Sequence, residues 1–189
     1  MIKLATTALT LVLHIAVPGL SKERLDSVVK DMVIVVDEEF DGKGLKSNIQ
    51  KQDALAMLAA AATNESGLWE SVENCKIVGD AGKSIGLTQL MSGPSWEGHS
   101  RKEICGNRKL QFKLALHVFD RCWEKSPHAD AAFRCYTSGD HKKYSNAARN
   151  EHALYKRLVL SMQTLHVGDQ NLKNEPTSKL SNPDLSAKK

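Results

Sequence analysis

The sequence predicts a mainly α-helical fold, and three observations carry that prediction. Residues 53–65 are rich in Ala, Leu and Met, with no β-branched residue before Thr63, and these are the strongest helix formers. Residues 22–40 and 107–125 repeat apolar side chains at helical spacing. Two further segments, 130–138 and 144–160, read as helices bounded by Gly139 and by the polar stretch that follows. A chain of 189 residues fits one domain with extensions and is long enough to bury a core.

Residues 1–21 begin with Lys3 as the one charge, continue through a moderately apolar stretch at 4–17, and reach Val17-Pro18-Gly19. This pattern resembles a secretory signal peptide over residues 1–20. A signal-anchor later released from the membrane and a buried first helix are the other readings, and export by either route is favoured. The run is too short and too weakly apolar for a spanning helix. Residues 21–46 are expected to be an amphipathic helix and loop ahead of the main domain. Leu25, Val28, Val29, Met32, Val33 and Val36 form the helical stripe, against a rival strand at the β-prone 32–36. Asp41-Gly42-Lys43-Gly44 closes it as a loop.

The main domain is expected over residues 47–162. Ser47-Asn48-Ile49-Gln50 fits a capping box, and Gly67 a helix stop. Because 53–65 is apolar nearly all round, it should be a buried core helix. Residues 68–84 are polar and irregular, and 86–91 should form a short helix or turn. Residues 92–100 are a loop by their Gly, Pro and Ser content, and its Trp96 either stacks on a ligand or covers core. Asn107 caps the next helix. Its stripes Leu110, Leu114, Val118, Cys122 and Ala115, Phe119, Trp123 are core, and His117 is a surface or packed side chain. Tyr144, Ala147, Ala148, Leu154 and Leu158 are the expected buried face of the last helix. Residues 163–189, with Pro176 and Pro183 and little apolar periodicity, are expected to be a disordered tail.

Hydrophobic content of 41% and charge of 25% describe a soluble globular protein. The net charge of +4 is mild and suits an anionic polymer without identifying one. A phosphate-binding Gly loop is absent, as is any basic block interleaved with aromatics, so nucleic acid is not an expected partner. Four cysteines, Cys75, Cys105, Cys122 and Cys135, are an even number. They suggest two disulfides in an oxidising compartment, with three pairings open. Their spacing matches no metal site, so neither metal nor cofactor is expected.

Glu65 is the first acidic residue after Asp53 and falls at the C-terminal end of the apolar helix. The helix dipole is negative there, and apolar surroundings disfavour ionisation. Both raise a carboxyl towards the range a general acid needs. Asp80, in Val78-Gly79-Asp80-Ala81-Gly82, is the candidate second carboxylate, although Asp beside Gly most often makes a turn, and that reading is preferred.

Glu65-Ser66-Gly67, then Gly86-Leu87-Thr88-Gln89-Leu90-Met91, then Cys135-Tyr136-Thr137-Ser138-Gly139 follow one another in the chain. In that order they resemble the lytic transglycosylase family, whose soluble-lytic-transglycosylase catalytic domain has a lysozyme-like fold. The family carries a Glu-Ser pair, a Gly-Leu-x-Gln motif and a Tyr-Asn-x-Gly motif. Thr137 stands where the family has Asn, and it lacks an amide's two-ended hydrogen bonding. The resemblance covers roughly residues 50–160 and implies a lysozyme-like catalytic domain. It implies Glu65 as general acid and base, Ser66 orienting it, and Gly86, Leu87, Gln89, Tyr136 and Thr137 binding substrate. The implied reaction cleaves the MurNAc-β-1,4-GlcNAc bond of peptidoglycan and leaves 1,6-anhydromuramyl ends. A hydrolytic muramidase of the phage endolysin kind, using Asp80 to hold water, and a catalytically weak wall-binding or assembly protein are the alternatives. The expected protein is an exported monomer of the periplasm or cell envelope that acts on glycan strands and meets a membrane only through its N-terminus.

Overall fold

Helix α3 (Lys51–Ser66) forms the axis of the fold. The computed structural model describes residues 2–42 and 44–174, with side chains for residues 6–42 and 44–164. Within that span there are eight α-helices and one two-stranded hairpin. The chain is therefore mainly helical, as its composition and periodicity predict. Residues 54–62 of α3 are each at most 6% exposed, so the helix is covered on all sides. It ends at Gly67, which adopts the left-handed φ of 57° and donates its N–H to the Thr63 carbonyl, a geometry glycine adopts at no steric cost.

The expected capping box at Ser47 does not form. The N–H groups of Lys46 and Ser47 instead donate to the two carboxylate oxygens of Asp120, at 2.8 and 2.9 Å. An ionised carboxylate is the stronger acceptor, and Asp120 is 4% exposed. Gln50 stands at the N-cap without a side-chain bond.

Helix α1 (Ile2–Ala16) packs on α3, on α2 (Lys22–Asp41) and on α8 (Asn146–Asn174). Its Ala8, Leu9 and Leu13 are at most 1% exposed. One face of the N-terminal stretch thus packs on the body, while Leu11 and Ile15 on it are exposed. Among the described residues no helix is long and apolar enough to cross a membrane. In α2 the β-prone 32–36 stretch is helical, because Leu25, Val28, Val29, Met32 and Val36 fall on one face that is buried in the core.

Helix α8 runs along α3 and α1. It continues to Asn174, past residue 163 where the tail was expected, and residues 175–189 lie outside the described residues. Ala148, Leu154 and Leu158 face the core as expected. Tyr144 and Ala147 do not: Ala147 is exposed, and Tyr144 precedes the helix, is 59% exposed, and lies over the Arg134 guanidinium.

Between α3 and α6 (Arg108–Lys125) the chain makes short elements. Helix α4 (Glu70–Glu73) is followed by a 3₁₀ turn at Asp80–Gly82 and the strands β1 (Ser84–Ile85) and β2 (Leu90–Met91). The strands pair antiparallel, with Ser84 opposite Met91 and Ile85 opposite Leu90. The 86–91 segment is therefore the turn and second strand of a hairpin rather than the start of a helix. A second 3₁₀ turn (Pro94–Trp96) and α5 (Arg101–Ile104) complete the segment, and a Ser100–Glu103 capping box opens α5. Helix α7 (Ala129–Ser138) packs between α6 and α8 and stops at Gly139, φ 73°.

Cys75 pairs with Cys105 and Cys122 with Cys135, leaving no free cysteine. Glu73, 7% exposed, accepts from Arg24 at 2.6 Å and Arg108 at 2.9 Å, which joins α4 to α2 and α6. His117 on α6 bridges Glu39 and Glu97 at 2.8 and 2.9 Å, pinning the 92–99 loop to the body.

Candidate active site

Helix α3 delivers Glu65 to the side of a cleft of about 1000 Å³. One wall comes from the 79–95 segment, with Asp80, Gln89, Ser92 and Ser95. The other comes from α6, α7 and the loop after α7, with Cys122, Cys135, Tyr136 and Thr137. The three motif regions that are distant in sequence thus meet at one site, around the carboxyl group the sequence singles out.

Burial raises the Glu65 carboxyl above its ordinary range. A hydrogen bond from Glu151 pulls it back in part, and the negative charge of Asp80 raises it further. Glu151, on α8, is fully buried. As an anion it would have no hydrogen-bond donor for either oxygen. Burial and the facing Glu65 carboxyl push it well above the usual carboxylate range. Of the pair, Glu151 is pushed up the further, to about 10, so it keeps its proton when Glu65 ionises and can donate to the Glu65 carboxylate. Nothing in the sequence motifs marks Glu151. The signal that could have found it is its position on the buried stripe of α8, three residues from both Ala148 and Leu154.

Tyr136 closes the wall. Its ring stacks on Phe119 at 4.1 Å and an interplanar angle of 9°, and its hydroxyl donates to the Thr88 carbonyl at 2.6 Å. Burial pushes the phenol well above its ordinary value, so it stays a neutral donor. Gln89 lies on the opposite wall. Its amide donates to the Gly86 carbonyl at 2.9 Å, and its backbone holds the left-handed φ of 47°. A Cβ at Gly79 would sit 2.2 Å from the Gln89 amide oxygen, so glycine there makes room for the amide.

Other expected site residues take supporting places. The Ser66 hydroxyl donates to the Ala62 carbonyl at 2.7 Å and accepts from the Leu68 N–H at 3.1 Å. It fixes the chain's exit from α3 and is not directed at the Glu65 carboxyl. Gly86 and Leu87 are buried rather than presented to a ligand, because both pack on Gln111. Gln111, fully buried on α6, accepts from the Leu87 N–H at 2.8 Å. Its amide donates to the Glu73 and Ile104 carbonyls at 2.9 and 2.8 Å. It thereby ties the hairpin turn to both ends of the 76–104 segment. The Thr137 hydroxyl is engaged with the Phe133 carbonyl and with Ser145. Trp96 donates to the Leu90 carbonyl and packs on the core, so it covers rather than binds.

Asp80 holds its carboxylate in the cleft. Its Oδ2 accepts from Ser84 Oγ at 2.6 Å. Asp80, Ala81 and Gly82 have φ of 48°, 55° and 88°, and left-handed backbone at the first two costs on the order of 1 kcal/mol per residue. Among the described residues no group of three or more His, Cys, Asp or Glu is placed to hold a metal ion. The chain matches no family model, no curated protein and no solved structure.

Proposed function

We infer that the cleft cleaves glycan strands of peptidoglycan, and that the chain is a lysozyme-like lytic transglycosylase exported to the cell envelope. The observation that carries this reading is Glu65, held above the ordinary carboxyl range at the end of a buried helix and open to a cleft large enough for a sugar chain. The order of the three motifs supports the same reading. The two disulfides suit an oxidising compartment.

In this mechanism protonated Glu65 gives its proton to the glycosidic oxygen as the bond to the muramyl anomeric carbon breaks. The muramyl acetamide assists from within the substrate, which dispenses with a protein nucleophile. Ionised Glu65 then takes the proton of the muramyl 6-hydroxyl, whose oxygen closes on the anomeric carbon to give the 1,6-anhydro sugar. Glu151 donates a hydrogen bond to Glu65 while Glu65 is ionised. Gln89 offers an amide donor and acceptor suited to a sugar acetamide.

A second reading, hydrolysis, is favoured by one observation: Asp80 keeps a carboxylate in the same cleft, near enough for its charge to act on Glu65, where it can hold a water. Digestion of purified cell walls separates the two, because anhydro ends weigh one water less than reducing ends. Glu65→Gln keeps size and hydrogen bonding but removes the transferable proton. Turnover should fall about 10²–10⁴-fold, the usual worth of general acid–base catalysis, while glycan binding persists. Wild-type turnover in Glu65→Gln would refute the assignment.

A further inference from the structure

Of the two disulfides, one lines the cleft and the other closes the segment that forms one of its walls. Cys75–Cys105 joins the ends of the segment that carries Asp80 and Gln89. Non-covalent ties reinforce the same place: the Gly106 N–H donates to the Glu73 carbonyl at 2.9 Å, and Gln111 holds the Glu73 and Ile104 carbonyls. Cys122–Cys135 is differently placed. It joins α6 to α7 across a sequence separation of 13, and both cysteines line the cleft. Cys135 is followed by Tyr136, whose hydroxyl holds the Thr88 carbonyl beside Gln89. A covalent bond in one wall is thus one residue from the contact that joins this wall to the hairpin. The helices that carry Glu65 and Glu151 bear no cysteine and are held by apolar packing.

We propose that Cys122–Cys135 is a redox gate on the cleft. Oxidised, it fixes α7 on α6 and presses Tyr136 against the hairpin turn, and the two walls keep their spacing. Reduced, it frees α7, the Tyr136–Thr88 contact opens, and Gln89 loses its support while α3 and α8 stay folded. This is local opening of a ten-residue helix whose apolar packing is supplemented by one crosslink to α6. In the reduction a dithiol supplies two electrons and two protons. The S–S bond breaks, two thiols form, and the reductant becomes a disulfide. The reverse exchange with a small-molecule disulfide such as glutathione disulfide closes the gate. The proposal rests on the glycan-cleaving reading: a chain in a reducing compartment would be silent towards glycan and would become active on reaching an oxidising one.

The test uses the full chain in three forms: oxidised, reduced with dithiothreitol and alkylated, and the double variant Cys122→Ser with Cys135→Ser. A second double variant, Cys75→Ser with Cys105→Ser, is the comparison. Turnover of purified peptidoglycan is measured with far-UV circular dichroism and hydrogen exchange. The gate predicts that the reduced form and the Cys122/Cys135 variant lose about 10²-fold in turnover, the scale of an ångström-level misplacement of a site. Hydrogen exchange should rise over residues 86–89 and 129–138 and stay slow in α3. The Cys75/Cys105 variant should keep most of its turnover. Unchanged exchange over 86–89 and 129–138 on reduction would overturn the proposal, as would collapse of the whole helical signal or an equal loss in the comparison variant. If the oxidised chain cleaves no glycan, the functional reading fails, and the exchange arm still decides whether the sulfur pair controls the wall.

Discussion

Replacing Glu151 with Leu should move the alkaline limb of the pH–rate profile upward. In the proposed reaction Glu65 works as an acid only while protonated, so its titration would set the pH at which activity is lost on the alkaline side. Glu151 donates a hydrogen bond to the ionised form of Glu65 and thereby favours ionisation. A hydrogen bond to a charged group is worth about 1.5–3 kcal/mol, and about 1.4 kcal/mol corresponds to one pH unit. Removing the donor should therefore move the limb up by about one to two pH units, towards the lower figure because Glu65 reaches the solvent-filled cleft. Glu151→Gln keeps a donor and should move it less. The same pair fixes the pH dependence of stability. Both carboxyl groups sit above their unfolded values, so the folded chain holds more protons and stability falls as pH rises above the ordinary carboxyl range. In the window where one extra proton is held, the loss is about 1.4 kcal/mol per pH unit. Glu151→Leu should flatten that slope in thermal denaturation without destabilising at neutral pH, since a buried carboxyl without other donors is replaced by an apolar side chain. An unmoved alkaline limb in Glu151→Leu, with the fold intact, would refute the coupling of the two groups.

Further expectations concern other parts of the site and fold. Asp80→Asn removes a like charge near Glu65 and should move the alkaline limb to lower pH, opposite to Glu151→Leu, while keeping most of the turnover. A loss of turnover as deep as that of Glu65→Gln would instead promote the hydrolytic reading. Gln111→Leu leaves the Leu87 N–H and the Glu73 and Ile104 carbonyls without their partner. At about 1–3 kcal/mol per unsatisfied group, it should lower the urea midpoint markedly, and an unchanged midpoint would show the contacts to be dispensable. Leu13→Ala removes a fully buried side chain of α1. It should cost about 2–5 kcal/mol, visible as a fall in Tm of roughly 2–4 °C per kcal/mol. A Tm equal to wild type would mean that α1 does not belong to the working core.

Much of the helical frame was legible because its signals are local. Asn107 and Gly67 cap where their chemistry predicts, and the stripes of α2 and α6 bury the faces their spacing predicts. Glu65 was legible for the same reason, as an acidic residue closing an apolar helix. The hairpin was not, since strands of two residues are too short to show alternation. Glu151 and Gln111 were missed because composition marks a polar residue as exposed. Their positions on buried stripes say otherwise, but the carboxyl and the three backbone groups that receive them come from elsewhere in the chain. The Ser47 capping box lost to Asp120, a partner more than seventy residues away that local pattern cannot weigh.

The alanines of α3 have a consequence for how the cleft can adapt. Ala59, Ala60, Ala61 and Ala62 are all fully buried, so neighbouring helices rest almost directly on the backbone of α3. Over these four positions the helix has no long side chains through which to slide or tilt, and any larger residue there would force its neighbours apart. Glu65 is therefore a fixed post, with only its own rotamers to move. Any fitting of the cleft to ligands of different bulk falls to the segment of turns and short strands, which can change its loops without disturbing the post.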